Sequence, residues 1–336
     1  MQGDVESVAE PRKKTALITG ILGQDGSYLG ELLIRMNYRV IGTSHRADSV
    51  TEVSLAGTDV PVHPLDIGNE HQIRDIFERF QPEEIYNLAS RSSSSQLFDD
   101  PVATADINGL AIVRMLEAIK NICPNTRFCQ ASSSEVFAKA GQSPQDETTP
   151  LRPRNAYGAA KIFAQNMVEA YRERFGLFAC SAILYNHESP RRGQEYVTRK
   201  VASTAVRIAA GLTKTLTTGN LDSRRDWGFA GDYVRAMWLL LQQDTPDDYV
   251  IATGETHTVR ELCQLAFSRV GLDYRDYVAV DESLARGQEQ TVLCGNSSKA
   301  IVQLGWKPSI SFVELVNMMV DAEKVKLAGE MTPSYK

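Results

Sequence analysis

A chain of 336 residues can bury one large α/β core or two smaller ones. Its 36 Lys and Arg against 42 Asp and Glu give a net charge of −6 without any basic block, which argues against a nucleic-acid partner and leaves anionic small molecules open to a local arginine cluster. The longest apolar runs, such as "AMWLLL" at 236–241, fall far short of the roughly 20 residues a membrane helix needs, and no apolar signal core follows the first basic residues, so no membrane association and a cytoplasmic location are expected. Cys123, Cys129, Cys180, Cys263 and Cys294 are scattered, odd in number and without CxxC spacing, which suggests buried thiols rather than disulfides or a zinc site.

In chain order, residues 1–12 lack periodicity and read as a loose arm. "TALITG" (15–20) is a β-rich run, and Leu29, Leu32, Leu33 and Met36 behind it form the stripe of an amphipathic helix. Between them, "TGILGQDG" sets Gly20, Gly23 and Gly26 at a strand-to-helix junction, with Gln24 and Asp25 in the same loop. Glycines allow a tight turn and close backbone approach, and the helix start offers N–H groups to a pyrophosphate, so this loop is the candidate dinucleotide site. The second strand, "VIGTSHR", ends in His45 and Arg46 instead of the acid that binds a ribose 2′-hydroxyl; the guanidinium of Arg46 suits a 2′-phosphate, which favours NADP over NAD. Asp66, ending "VPVHPLD", is either an adenine contact or a turn aspartate.

Helical stretches at 70–80, 102–121 and 155–174 then alternate with "EIYNLAS", "TRFCQAS" and "FACSAILY". Such alternation predicts an α/β fold, a Rossmann-type doubly wound parallel sheet. Beyond residue 186 the rhythm breaks into shorter pieces, among them "ETHTVRELCQLAFSRVG" and "SFVELVNMMVDAEKV". The expected division is therefore an NADP-binding unit at 13–185 and a smaller, mainly substrate-binding α/β part at 186–336 that sends segments back to the first.

"YGAAK" places Tyr157 and Lys161 on one helical face. A tyrosine used as a base near pH 7 needs its pKa lowered by about 3, or about 4 kcal/mol, and a neighbouring ammonium together with a positive nicotinamide favours the phenolate. "SSSEVF" (132–137) puts a single carboxylate, Glu135, behind three hydroxyls at the end of a strand.

With the glycine loop, the strand-end serine and the Tyr/Lys pair in this order, the chain resembles the extended short-chain dehydrogenase/reductase superfamily. That resemblance implies that Ser133 hydrogen bonds to a sugar hydroxyl, Tyr157 takes its proton, and Lys161 holds the nicotinamide ribose and tunes Tyr157. "YNHESPRRG" (185–193) and "GNLDSRRDWGFAGDY" (219–233) are similar to the GDP-mannose 4,6-dehydratase family within it, over residues 14–328. Ser133-Ser134-Glu135 stands where that family reads T-S-E, which implies Glu135 as the base that removes a C5 proton. The resemblance further implies GDP-mannose as substrate, NADP as cofactor, and a homodimer or homotetramer. It also implies sugar-nucleotide contacts from Asn186 and Arg225, with Arg225 gripping the diphosphate.

Arg191 and Arg192 match a family loop that reaches a neighbouring subunit near its cofactor, or else are solvated. Thr198, Arg199 and Lys200 of "VTRK" are candidates for phosphate or guanine contacts, or simply begin a helix. Arg286 and Glu289 of "RGQE" stand where the family reads R-P-x-E, and Ser92 of "LASRSSSSQLF" matches the serine of its A-Q-S stretch. The rival activities are a nucleotide-sugar reductase, an epimerase, a dehydratase of another nucleotide sugar, and a dinucleotide-binding regulator without catalysis.

Overall fold

The computed structural model describes residues 12–92, 100–284 and 291–331. All five residues of β1 (Thr15–Thr19) are buried, as a strand in the middle of a sheet covered on both faces requires. α1 (Gln24–Arg35) leads to β2 (Arg39–Ser44), and then comes a hairpin of β3 (Thr51–Leu55) and β4 (Thr58–Pro64). Its two-residue turn has Ala56 at φ 49° and Gly57 at φ 77°, both in the left-handed region that suits the twist of a hairpin. β3 is not expected from the sequence, because it is a mostly exposed edge strand with no buried stripe to announce it.

α2 (Glu70–Phe80) is capped by Asn69, whose Oδ1 accepts from Gln72 N at 3.2 Å. After β5 (Glu84–Asn87), the helix expected over 102–121 arrives in three pieces: α3 (Pro101–Ala105), a π turn (Asp106–Leu110) and α4 (Ala111–Ile122). β6 (Arg127–Ala131), a 3₁₀ turn (Ser134–Phe137), α5 (Ala156–Phe175) and β7 (Ala179–Leu184) complete the first part.

The remainder runs β8 (Asn186–Glu188), α6 (Val197–Ala209), β9 (Leu216–Thr218), β10 (Arg224–Arg225), β11 (Trp227–Phe229), α7 (Ala230–Leu240), β12 (Tyr249–Ile251), β13 (His257–Thr258), α8 (Val259–Ser268), β14 (Val278–Val280), α9 (Ser298–Leu304) and α10 (Phe312–Met331). The eight-stranded sheet has the order β12-β7-β6-β5-β1-β2-β4-β3. Every pairing is parallel except the β3–β4 hairpin. Strand order reverses between β1 and β5, the switch point at which doubly wound sheets leave a crevice above their carboxyl ends.

Two apolar cores lie on the sheet. In one, Leu29 and Leu33 of α1 share a cluster with Val234, Met237 and Leu240 of α7 and with Val250 of β12. The other holds Ile73 and Phe77 of α2 with Met115, Leu116 and Ile119 of α4. Residues 230–252 thus belong to the sheet although they follow the break in rhythm at 186. A third core, with Val201, Leu262, Phe267, Leu315 and Met319, joins α6, α8 and α10 into the smaller part. Among the described residues no helix is long and apolar enough to cross a membrane.

Candidate active site

The glycine loop leaves β1 at the switch point. Gly20 has φ +72°, and a Cβ there would stand 3.2 Å from Ala89 N. At Gly26 a Cβ would lie 2.4 Å from Gly20 O and 2.5 Å from the Ile21 Cα, so only glycine lets α1 start this close to the loop. Gly23 N donates to Gly20 O at 3.0 Å, and the first helical bond of α1 is from Ser27 N to Gly23 O at 3.1 Å. The N–H groups of Gln24, Asp25 and Gly26 therefore precede the helical ladder, and this cradle fits a pyrophosphate.

The side chains of Gln24 and Asp25 turn the other way. Gln24 Nε2 donates to His187 O at 3.1 Å, and Ser189 Oγ donates to Gln24 Oε1 at 2.8 Å. His187 presents its two ring nitrogens to two acceptors, Tyr185 O at 2.7 Å and Asp25 Oδ2 at 2.8 Å. Burial is the largest influence on both and disfavours both charges, yet the partner's charge and the hydrogen bonds together overcome it, so Asp25 lies below the usual carboxylate range and His187 above the usual imidazole range. Arg46 is exposed past β2, where its backbone N donates to Ser44 Oγ at 3.1 Å. Asp66 closes a turn, its Oδ1 accepting from Gly68 N at 2.9 Å.

At the end of β6, Ser133 is extended (φ −153°, ψ 147°) and its Oγ accepts from Glu135 N at 3.3 Å, capping the 3₁₀ turn. Ser134, Val136 and Phe137 are buried, which anchors the turn and leaves Glu135 on the wall of a cavity. α5 packs tightly on the same turn: a Cβ at Gly158 would meet Glu135 O at 2.8 Å. Tyr157 and Lys161 project from this helix into the same cavity, and Lys161 Nζ donates to Ala131 O at 2.8 Å. The ammonium stands 5.6 Å from the centre of the Tyr157 ring. Burial pushes Tyr157 up to about 12 against the opposing hydrogen bonds of Ser133 and Ser90, and burial pushes Lys161 down to about 7. In the fold by itself the phenol therefore keeps its proton, and a further positive charge beside it is what the pair needs in order to act as a base.

The cavity measures about 490 Å³. It brings together Asp25, Ser92, Ser133, Glu135, Tyr157, Lys161, Asn186, Arg192, Lys200 and Arg225 of the residues singled out by sequence. Gly20, Gly23, Gln24, Gly26, Arg46 and Asp66 do not line it, and Arg286 and Glu289 lie outside the described residues. Asn186 reaches it from β8, where it pairs with Trp227 of β11, and Arg225 reaches it from β10, which pairs with β13 and ends two residues before Trp227. Ser92 Oγ is 3.5 Å from the hydroxyl of Tyr196, whose ring lies 3.5 Å below the Arg192 guanidinium.

Both loop arginines spend their side chains on their own chain. Arg191 donates to Ser27 Oγ at 3.0 Å and Glu31 Oε1 at 2.6 Å, and Arg192 pairs with Glu188 at 3.1 Å. In "VTRK", the Thr198 hydroxyl is buried against Glu188 at 2.6 Å and Arg199 pairs with Glu323 at 2.8 Å. Lys200 alone of the three lines the cavity, with its Nζ donating to Thr217 O at 2.7 Å.

Sequence reasoning missed two neighbours of Glu135. Arg154 donates from Nε to Oε2 at 3.0 Å and from Nη2 to Oε1 at 2.7 Å, and Asn155 Nδ2 donates to Oε2 at 3.2 Å. Their signal is faint: an Arg-Asn pair just ahead of Y-x-x-x-K. It also missed Ser90, whose hydroxyl donates to Asn108 Oδ1 at 2.7 Å, with Asn108 held in the π turn.

Residues 17–319 match the family model described as GDP-mannose 4,6 dehydratase. GDP-mannose 4,6 dehydratase 2 of Arabidopsis thaliana is 45% identical over 336 residues, covering 96% of this chain and 89% of the relative. Among solved structures, UDP-glucose 4-epimerase of Thermotoga maritima, with UDP-glucose, superposes with a TM-score of 0.82 at 23% identity over 93% of this chain and 99% of the other. A Pseudomonas aeruginosa protein, RMD, complexed with NADPH, gives 0.78 at 22% identity over 94% and 98%.

Proposed function

The chain belongs to the GDP-mannose 4,6-dehydratase family, and from that membership we infer that it removes water across C5 and C6 of the hexose in GDP-mannose, giving the 4-keto-6-deoxy sugar. The observation that carries the chemistry is that Glu135, from the turn after β6, and Tyr157, from α5, face one cavity. A nicotinamide dinucleotide, when bound, would supply oxidation at C4 and the return of hydride at C6. Gly20, Gly23 and Gly26 with the N–H groups of α1 would hold its pyrophosphate, and the exposed guanidinium of Arg46 supports a 2′-phosphate and hence NADP.

Ser133 would orient the C4 hydroxyl and Tyr157 receive its proton, with the Lys161 ammonium favouring the phenolate. A carbonyl at C4 acidifies C5–H. Glu135 then takes the C5 proton, the C–H pair is held by the C4 carbonyl and forms the C5=C6 bond as the C6–O bond breaks, and the same carboxyl gives its proton to the departing hydroxyl, which leaves as water. Once hydride has returned to C6, C5 takes up a solvent proton through Glu135 and Tyr157 releases the proton it received. Ser134, buried beside Glu135, is no acid, so one carboxyl serves both transfers. Asn186, Lys200 and Arg225 would hold the sugar nucleotide, with Arg225 suited to the diphosphate. Association into a homodimer or homotetramer is supported by apolar Val102, Leu110 and Phe163, which stay exposed on the α3, π-turn and α5 face.

Glu135→Gln tests the assignment. Turnover should drop about 10²–10⁴-fold and solvent deuterium should no longer enter C5, while NADP and GDP-mannose still bind. Exchange at the wild-type rate sinks the role given to Glu135.

A further inference from the structure

Glu135 does not stand alone on the cavity wall, and the pattern of its partners distinguishes its two oxygens. Among the described residues, Oε2 accepts from Arg154 Nε at 3.0 Å and from Asn155 Nδ2 at 3.2 Å, whereas Oε1 accepts from Arg154 Nη2 alone, at 2.7 Å. A carboxylate oxygen has two lone-pair directions, so Oε2 is saturated while Oε1 keeps one open. Asn155 has a second duty: its Oδ1 accepts from Gly158 N at 2.8 Å and caps α5, the helix that carries Tyr157 and Lys161. The side chains of Glu135 and Arg154 are 18% and 25% exposed, so the pair is largely withdrawn from solvent and its geometry is well held. Its clearest physical effect is orientation, because a bidentate guanidinium fixes both the plane and the rotation of the carboxylate.

We propose that Arg154 and Asn155 are positioning residues for the proton transfer at C5: they lock the Glu135 carboxylate relative to α5 and leave Oε1 as the oxygen that takes the C5 proton. This rests on the reading of Glu135 as the base. The proton moves from C5 to Oε1 and from there to the departing C6 oxygen; a solvent proton taken up at Oε1 then goes to C5 once C6 is reduced, so the carboxylate ends the cycle ionised and neither Arg154 nor Asn155 gains or loses a proton.

Two partial reactions of the NADP-loaded enzyme with GDP-mannose separate the possibilities: C4 oxidation, read as cofactor absorbance in a single turnover, and entry of solvent deuterium at C5. Arg154→Ala and Asn155→Ser should leave the first within about twofold of wild type and slow the second about 10–100-fold, the scale expected when a reacting group is misplaced by an ångström or less. Ser at 155 still caps the helix, and Arg154→Lys, which keeps charge and one contact, should fall between wild type and Arg154→Ala. Added guanidinium should restore part of the exchange in Arg154→Ala. Deuterium entry at the wild-type rate in Arg154→Ala and Asn155→Ser, with none in Glu135→Gln, overturns the proposal and spares the assignment of the base. Undiminished exchange in Glu135→Gln overturns the assignment itself. Equal loss of both partial reactions, in Arg154→Lys and Asn155→Ser as well and without guanidinium rescue, marks a merely structural pair and also overturns the proposal.

Discussion

Lys161 is only 2% exposed, and burial holds its ammonium near pH 7, far below the 10.5 of a free side chain. The consequence for stability has a definite sign. Below about pH 7 both folded and unfolded chains carry the proton and the folded state bears the full cost of burying it; between about 7 and 10.5 only the unfolded chain keeps it, and the cost fades as pH rises. Lys161→Met should therefore raise the melting temperature of the protein most near about pH 6 and least near about pH 10, while abolishing turnover. Thermal unfolding across that range checks it, and a difference independent of pH would contradict it. Tyr157 and Lys161 were legible in the sequence because a fixed helical spacing reports a shared face. The size and direction of their pKa changes were not legible, because desolvation depends on the walls that other elements build around them. Arg154 was illegible for a related reason: its contact with Glu135, 19 residues back, exists only once the chain between β6 and α5 has folded over the 3₁₀ turn.

At the scale of elements, the junction of β1 with α1 tolerates no side chain at Gly26. Gly26→Ala would drive a methyl against Gly20 O and Ile21, both backbone, and should cost about 1–3 kcal/mol while weakening binding of the nicotinamide cofactor. Gly176→Ala is the matched control: φ is +66° at the end of α5 but nothing lies within 4 Å, so about 1 kcal/mol of conformational cost should appear with unchanged cofactor affinity. Denaturant unfolding and cofactor titration of the two variants separate the effects. The same junction was the most legible element in the sequence, since strand, glycines and amphipathic stripe agree with one another. Least legible were β3, an exposed edge, and β12, three residues whose place beside β7 is set by distant pairing. The π turn that splits the helix expected over 102–121 changes the hydrogen-bond period without changing the apolar pattern, so periodicity could not reveal it.

For the whole molecule, Asp226 ties the cavity-lining strands to the sheet. It sits between Arg225 and Trp227, fully buried, and accepts from Thr253 N at 2.9 Å, Thr253 Oγ1 at 2.6 Å, and Gly254 N and Gly295 N at 3.1 Å each. Asp226→Ala leaves these donors without their acceptor and should destabilise the protein by about 2–4 kcal/mol. Because Arg225 is its chain neighbour, affinity for GDP-mannose should fall more than affinity for the nicotinamide cofactor, and titration calorimetry with each ligand reads the two separately. Equal losses would show that Asp226 does not bear specifically on the sugar-nucleotide side.

Ser133, Glu135, Arg154, Asn155, Tyr157 and Lys161 all fall between 131 and 161, whereas the residues proposed to grip the sugar nucleotide, Asn186, Lys200 and Arg225, come from strands and helices laid down later. Reactivity and recognition occupy separate paragraphs of the same text. Either can be rewritten alone, so one scaffold can acquire a new hexose without relearning how to break a bond, or a new reaction without relearning which nucleotide to hold.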